Sequence, residues 1–301
     1  MKYIILAVII CIAQNASAQT IRLATYQYAE NDRIKNITPL ASYLEQKTGN
    51  TIEVKSYPDI PTFISAIQKG EVDLALISTF GYFLLDASSV KHAVRPRLTL
   101  NVNKEAINNY KTAIVCRKEM QLYKLEDVKS KANALRATFV APGSTSGNLV
   151  PRLAYNGLGL SDVEKTFLSV GYSKTHMAAL QLVLHDSTDI AAMGYTEYEK
   201  LLREDSASAK QLRLLWLSPE IPLGPVLFND RLSAALQQKI VAAMLSVEKE
   251  NKDALLAVKA GWSEAKQATS YITIDESFYN PFKSILGDKK ALQSILNKFA
   301  N

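Results

Sequence analysis

Residues 136–157 read RATFVAPGSTSGNLVPRLAYNG. Arg136–Ala141 has the apolar character of a buried strand, and Asn148–Asn156 has the spacing of a helix. Between them, Pro142-Gly143-Ser144-Thr145-Ser146-Gly147 is a tight, hydroxyl-rich turn. A strand that feeds such a turn into a helix gathers unpaired backbone N–H groups at one point, and the helix dipole adds partial positive charge there. That corner suits a small tetrahedral anion, and the adjacent hydroxyls add donors. The same residues also suit a plain helix cap, with Ser144 or Ser146 capping the helix and binding nothing. Two other readings fail on the residues themselves. A P-loop needs Lys and Ser/Thr after its second Gly, where Asn148 stands. A nucleophile elbow needs a central Ser, where Thr145 stands.

The strand–helix rhythm extends on both sides. Upstream, Ile21–Thr25 reads as a strand and Ile37–Lys47 as a helix stopped by Thr48-Gly49-Asn50. Thr51–Tyr57 is then a strand, Pro61–Lys69 a helix and Val72–Ser78 a strand. Downstream, Thr112–Cys116, Lys165–Ser169 and Asp189–Met193 read as strands, with a short helix from Leu125 and a longer one over Thr175–Leu184. This alternation predicts an α/β fold of mainly parallel sheets flanked by helices. Phe63-to-Ile77 and Met177-to-Met193 share one plan: an apolar helix, a polar turn and a strand opening on Asp73 or Asp189. Two lobes of similar build follow. From Asn229 the pattern is mainly helical. Asn229 or Asp230 is expected to cap a helix reaching about Glu248, followed by helices over Lys252–Lys259 and Lys290–Phe299. No Pro/Gly/Ser-rich linker separates the lobes, so ordered crossings are expected near Tyr110–Thr112 and Ser218–Gly224.

The 301 residues are 48% hydrophobic, enough for one large or two medium cores. Thirty-five Lys+Arg against 29 Asp+Glu give a net charge of +6, a mild preference for anions. No basic run or basic helix face with interleaved aromatics marks a nucleic-acid binder. Met1-Lys2, the apolar run Tyr3–Ala13 and Ala16-Ser17-Ala18 read as a secretory signal cleaved after Ala18, since the run is too short to span a bilayer. A buried N-terminal element is the alternative. Cys11 follows Ile10 rather than the small residue that a lipidation site wants. Cys116 is then the single remaining cysteine, so the mature chain has no intramolecular disulfide. It is expected to be a soluble monomer outside the cytoplasmic membrane, with no cofactor.

None of His92, His176 and His185 has metal-ligand spacing. His176 opens a helix and can donate to an anion, with a charge that depends on pH. Tyr26, Tyr28, Tyr82 and Tyr110 lie at strand ends, where open α/β sheets bind ligands. Tyr195 and Tyr198 lack the His/Asp set that tyrosinate iron would need. A hydrolase using Ser144 or Ser146 with His176 has no nucleophile motif or orienting acid.

Gly143-Ser144-Thr145-Ser146-Gly147-Asn148-Leu149-Val150-Pro151 resembles the signature of periplasmic phosphate/phosphite/phosphonate-binding proteins of ABC importers. Gly70–Ala75, Asn109–Val115, Ser218–Pro222 and Gly261-Trp262 resemble further family landmarks in the same order. The resemblance implies a type II periplasmic-binding-protein fold with a two-crossing hinge. Residues 19–111 and 222–301 would form lobe 1, and 112–221 lobe 2. It implies capture of phosphate, phosphite or a simple phosphonate without catalysis, and delivery to a membrane permease. Docking on a membrane receptor such as a sensor kinase is the alternative output. By position, Ser144, Thr145 and Ser146 would hold the oxyanion and Tyr110 and His176 would add donors. Tyr26 and Tyr82 join them as candidate ligand residues. Three positions depart from the family. Ile60 follows Asp59 where the family often has Tyr. Thr196, beside Glu197, and Gly224 stand where binders of amino-bearing phosphonates have acids, which argues against an aminoalkyl ligand.

Overall fold

The computed structural model describes residues 19–28, 31–103, 105–106 and 108–285, with Ser294 and Lys298. The expected signal segment 1–18 lies outside the described residues, as does the expected helix Lys290–Phe299 apart from those two positions. The strands are β1 Thr20–Tyr26, β2 Thr51–Tyr57, β3 Leu74–Leu76, β4 Val94–Val102, β5 Thr112–Arg117, β6 Arg136–Phe139, β7 Ser169–Tyr172, β8 Ile190–Gly194, β9 Leu212–Leu217, β10 Pro225–Asn229 and β11 Ala268–Thr273. They build two sheets, of order β11-β4-β10-β3-β1-β2 and β7-β6-β8-β5-β9. The first helices are α1 Arg33–Thr48, α2 Ile60–Gln68 and α3 Thr79–Ala87, and α4 Val150–Gly157 follows the hydroxyl-rich turn.

The two sheets share one plan. Each has three parallel strands with the earliest of them in the middle, β2-β1-β3 and β7-β6-β8. Each then continues with an antiparallel strand, β10 against β3 and β5 against β8. The sheets are therefore mixed, which corrects the expectation of mainly parallel ones. The parallel strands end facing the other sheet. A strand that has just crossed over begins there and must run the opposite way: Thr112 at the start of β5 pairs with Gly194 at the end of β8.

An Arg–Asp pair with a buried carboxylate marks the likeness of the halves. Asp73 accepts from the Arg22 backbone N–H at 2.9 Å and from Arg22 Nε at 3.0 Å. Asp189 accepts from the Arg136 backbone N–H at 2.7 Å and from Arg136 Nε at 3.0 Å. Each aspartate thus locks the start of one parallel strand to its neighbour, β3 to β1 and β8 to β6.

Two elements differ from expectation. Residues Val163–Thr166 form a helical turn and the strand starts at Ser169, not Lys165. Val163 and Phe167, both buried, are four residues apart, which is helical spacing. The long C-terminal helix runs Ala234–Glu250 and is capped by Ser233, whose side chain accepts from the Leu236 N–H. Asn229 instead completes β10, and its side chain donates to the Val72 carbonyl at 3.0 Å.

One core surrounds the first sheet and takes in Leu149, Val150 and Leu153 from the start of α4. Alternate residues of β5 and β8 feed two cores on opposite faces of the second sheet. Cys116 is buried in one of them, and burial pushes its thiol up to about 11, so it serves as a small hydrophobe.

Candidate functional site

The hydroxyl-rich turn does more than cap a helix. Ser144 accepts from the Gly147 N–H at 3.0 Å, as a cap does. Thr145–Leu149 then makes one wide turn, with the Leu149 N–H bonded to the Ser144 carbonyl at 3.1 Å. Wide turns of this kind are rare and concentrate at functional sites. Thr112 Oγ1 donates to the Ser146 carbonyl at 2.7 Å, which ties the turn to the start of β5. The Phe80 N–H, in the first turn of α3, donates to Thr145 Oγ1 at 3.1 Å. This bond joins the two halves. It also occupies a lone pair of the Thr145 hydroxyl and leaves its proton free to donate.

The turn faces a cleft of about 340 Å³. Ser144, Thr145, Ser146, Tyr26, Tyr28, Tyr110 and His176 all line it. The two crossings brace Tyr110. Its N–H donates to Glu220 Oε1 at 2.8 Å, and its carbonyl accepts from the Ile221 N–H at 2.7 Å. Its hydroxyl faces Thr145 and Ser146, and burial pushes its pKa well above the ordinary phenol value. Tyr28 is likewise pushed up by burial, to about 12, and its hydroxyl faces Ser144. Both phenols therefore stay protonated at neutral pH, as an anion site needs.

His176 opens a helix and lines the cleft, but it is not the pH switch the sequence suggested. The Gly194 N–H donates to its Nδ1 at 2.8 Å. Nδ1 is thus the unprotonated nitrogen, and Nε2 carries the hydrogen. Burial lowers the pKa to about 4. The ring is a neutral donor near pH 7, with no lone pair free to take a proton from a serine. That tautomer removes the hydrolase reading. It also sets an expectation: His176→Ala weakens binding by a factor that stays constant between pH 6 and 8. Calorimetry across that range checks it, and a loss that grows as pH falls would show a titrating ring. The linkage for stability has the opposite reach. The unfolded chain protonates near 6.5 and the folded one near 4, so His176 subtracts stability as pH falls between those values.

Tyr82 does not join the site. The strand before it ends at Leu76 and α3 begins at Thr79, so Tyr82 lies in a helix that is buried from Thr79 to Leu85. Its ring packs 5.0 Å from that of Tyr279, in the core.

A family model described as "ABC transporter, phosphonate, periplasmic substrate-binding protein" matches residues 24–271. The chain belongs to this family. Its members bind and deliver a substrate and catalyse no reaction. The phosphonates-binding periplasmic protein of Escherichia coli is 24% identical over 255 residues, covering 84% of this chain and 73% of that one. Two solved structures share the type II fold. A Prochlorococcus marinus protein in complex with methylphosphonate has a TM-score of 0.65 at 17% identity, over 88% of this chain and 96% of that one. A binding component of a Pseudomonas aeruginosa ABC phosphonate transporter has a TM-score of 0.64 at 20% identity, over 94% of this chain and 97% of that one.

Seen within the phosphonate-binding family, the three departures have physical content. Ile60 is buried and packs over Gly143, so an apolar group stands beside the turn. Gly224 does not line the cleft, and a Cβ there would stand 1.9 Å from the Ile77 carbonyl oxygen, so no acid fits. Thr196 does line the cleft, but so do Glu197 and Glu264. The missing acids therefore do not leave the cleft without carboxylates, and the argument against an aminoalkyl ligand loses that support. Burial raises the pKa of Glu264, against the pull of nearby Arg33. Glu264 and Arg33 were not legible as site residues. The one signal was an arginine opening a helix, where its charge opposes the dipole, just beyond Tyr26-x-Tyr28.

Proposed function

We propose that this chain captures a small tetrahedral oxyanion, namely phosphate, phosphite or a simple phosphonate, on the Ser144-Thr145-Ser146 turn. It then delivers the ligand to an ABC permease. The backbone N–H groups of the turn and the hydroxyls of Ser144, Thr145 and Ser146 would receive the oxygens, with Tyr110 and the Nε2–H of His176 completing the shell. Residues 19–111 with 222–301 and residues 112–221 would act as two lobes that close on the ligand about the paired crossings. The mature chain would be a monomer starting at Gln19, after cleavage behind Ala18. The observation that carries this reading is the joint orientation of neutral donors at one corner of the cleft, with no histidine charge and no general base among them.

Calorimetric titration of the mature chain with methylphosphonate, phosphite and phosphate is the test. Saturable binding of at least one is expected, and silence toward all three would remove the ligand class. Thr145→Ala and Ser146→Ala are each expected to cost about 1–3 kcal/mol of binding, through a lost charge-assisted hydrogen bond. Affinities unchanged in both variants would place the ligand elsewhere.

A further inference from the structure

Arg33 opens α1, and only 3% of its surface is exposed. Its Nε and Nη1 have no hydrogen-bond partner, and among the described residues no ion pair reaches it. The guanidinium carbon lies 4.0 Å from the centre of a Trp262 ring, 5.5 Å from that of Tyr26 and 5.9 Å from that of Tyr28. Those aromatic faces repay part of its desolvation but accept none of its hydrogen bonds. A buried arginine without a hydrogen-bond partner is costly, and the carboxylate of Asp32, which caps this helix, accepts from the Lys35 N–H at 3.0 Å rather than from the guanidinium. Arg33 lines the cleft, so its charge faces the space a ligand would enter.

We propose that Arg33 is a second anion subsite, which receives a carboxylate carried on the carbon arm of a phosphonate. The inference rests on the oxyanion reading of the Ser144–Ser146 turn and adds a substrate class to it. Tyr28 sets the separation of the two subsites: its ring lies beside Arg33 and its hydroxyl faces Ser144. The arm thus spans roughly one tyrosine side chain and runs along the rings of Tyr26 and Tyr28, which line the cleft. The cleft also carries Lys111, Lys266, Glu197 and Glu264. Glu264 is near enough to feel Arg33, and burial raises its pKa against that pull, but among the described residues no hydrogen bond or ion pair joins the two. With a carboxyl group that close, a carboxylate of single charge fits better than a second, doubly charged phosphoryl group. A planar carboxylate also matches the guanidinium fork with two parallel hydrogen bonds.

The test compares 3-phosphonopropionate with n-propylphosphonate, and 4-phosphonobutyrate with n-butylphosphonate, by calorimetry on the mature chain. At least one carboxylate of a matched pair is expected to bind tenfold or more tightly than its alkyl partner. In Arg33→Gln that ratio is expected to fall to within twofold of unity, and in Arg33→Lys to an intermediate value. Thermal melting confirms that each variant is folded. If Arg33→Gln does not fold, Arg33→Lys decides, and it must cut the ratio at least threefold. Equal binding within both pairs in the unaltered chain overturns the subsite and leaves the oxyanion reading standing. A preference that survives in the Arg33 variants overturns it equally. Failure of every phosphonate to bind overturns this inference, and silence toward phosphate and phosphite as well overturns the oxyanion reading with it.

Discussion

Gly147→Ala is expected to weaken binding of methylphosphonate more than a hundredfold. A Cβ at Gly147 would lie 2.3 Å from Val140 Cγ2 and 2.5 Å from Val140 Cβ. Val140 is fully buried, and its N–H donates to the Gly147 carbonyl at 3.0 Å, so the end of the strand and the turn are in direct backbone contact. Neither can yield without moving the other. The turn is the part with room to move, into the cleft. Its displacement misaligns the N–H groups of Thr145 and Ser146 and breaks the Ser144 cap, which accepts from the Gly147 N–H. A hundredfold loss corresponds to about 2.7 kcal/mol. Overpacking adds a stability cost of roughly 1–3 kcal/mol, visible in a melting curve. A variant that binds at full strength would mean that the turn does not hold the ligand.

The second large effect concerns stability. Asp189→Asn is expected to cost about 1–3 kcal/mol, because a buried carboxylate loses its charge-assisted hydrogen bonds to Arg136, while Asp186 still pairs with Arg136 and Arg117. Asp189 accepts from Arg136 through its backbone N–H, Nε and Nη2, the last at 2.8 Å. The side chain of Arg117, only 8% exposed, approaches at 3.5 Å. Burial on its own would raise the Asp189 pKa. The Arg136 hydrogen bonds and the two positive charges outweigh it and hold the carboxyl below the usual carboxylate range. The sign of the pH dependence follows. The contribution is fully present above the unfolded value near 3.9 and is lost as pH falls through the depressed folded value. Melting curves of the two proteins should be far apart at pH 7 and converge below about pH 4. Asp189 lies at the end of β8 away from Gly194, so the folded variant should still bind. Equal melting temperatures at pH 7 would show that the pair is not a structural lock.

The parts of this fold that are legible in the sequence are the local ones. Helical and alternating apolar spacing marks β1, β2 and the helices between them because each pattern lies within one short stretch. The closing strands are not legible in that way. β4, β9, β10 and β11 have partners far along the chain, as in the pairing of Leu227 with Ala75, and their direction is set by where a crossing delivers them. The same distinction divides the cleft. The turn at Ser144–Ser146 is visible because strand, hydroxyls and helix are contiguous. His176 can be placed beside it, but its tautomer depends on the Gly194 N–H. Arg33 looks like an ordinary surface residue of a helix until Trp262 folds over it. Tyr82 shows the converse: a strand-end position on paper, a core position once α3 starts at Thr79 and carries it inward.

A crystal structure of the mature chain grown with methylphosphonate tests the central claim most directly. The expected result is a phosphonyl group on the turn, its oxygens within about 3 Å of the Thr145 and Ser146 N–H groups, with His176 Nε2 and the Tyr110 hydroxyl donating to it. A ligand seated elsewhere while the turn holds only water would contradict the account.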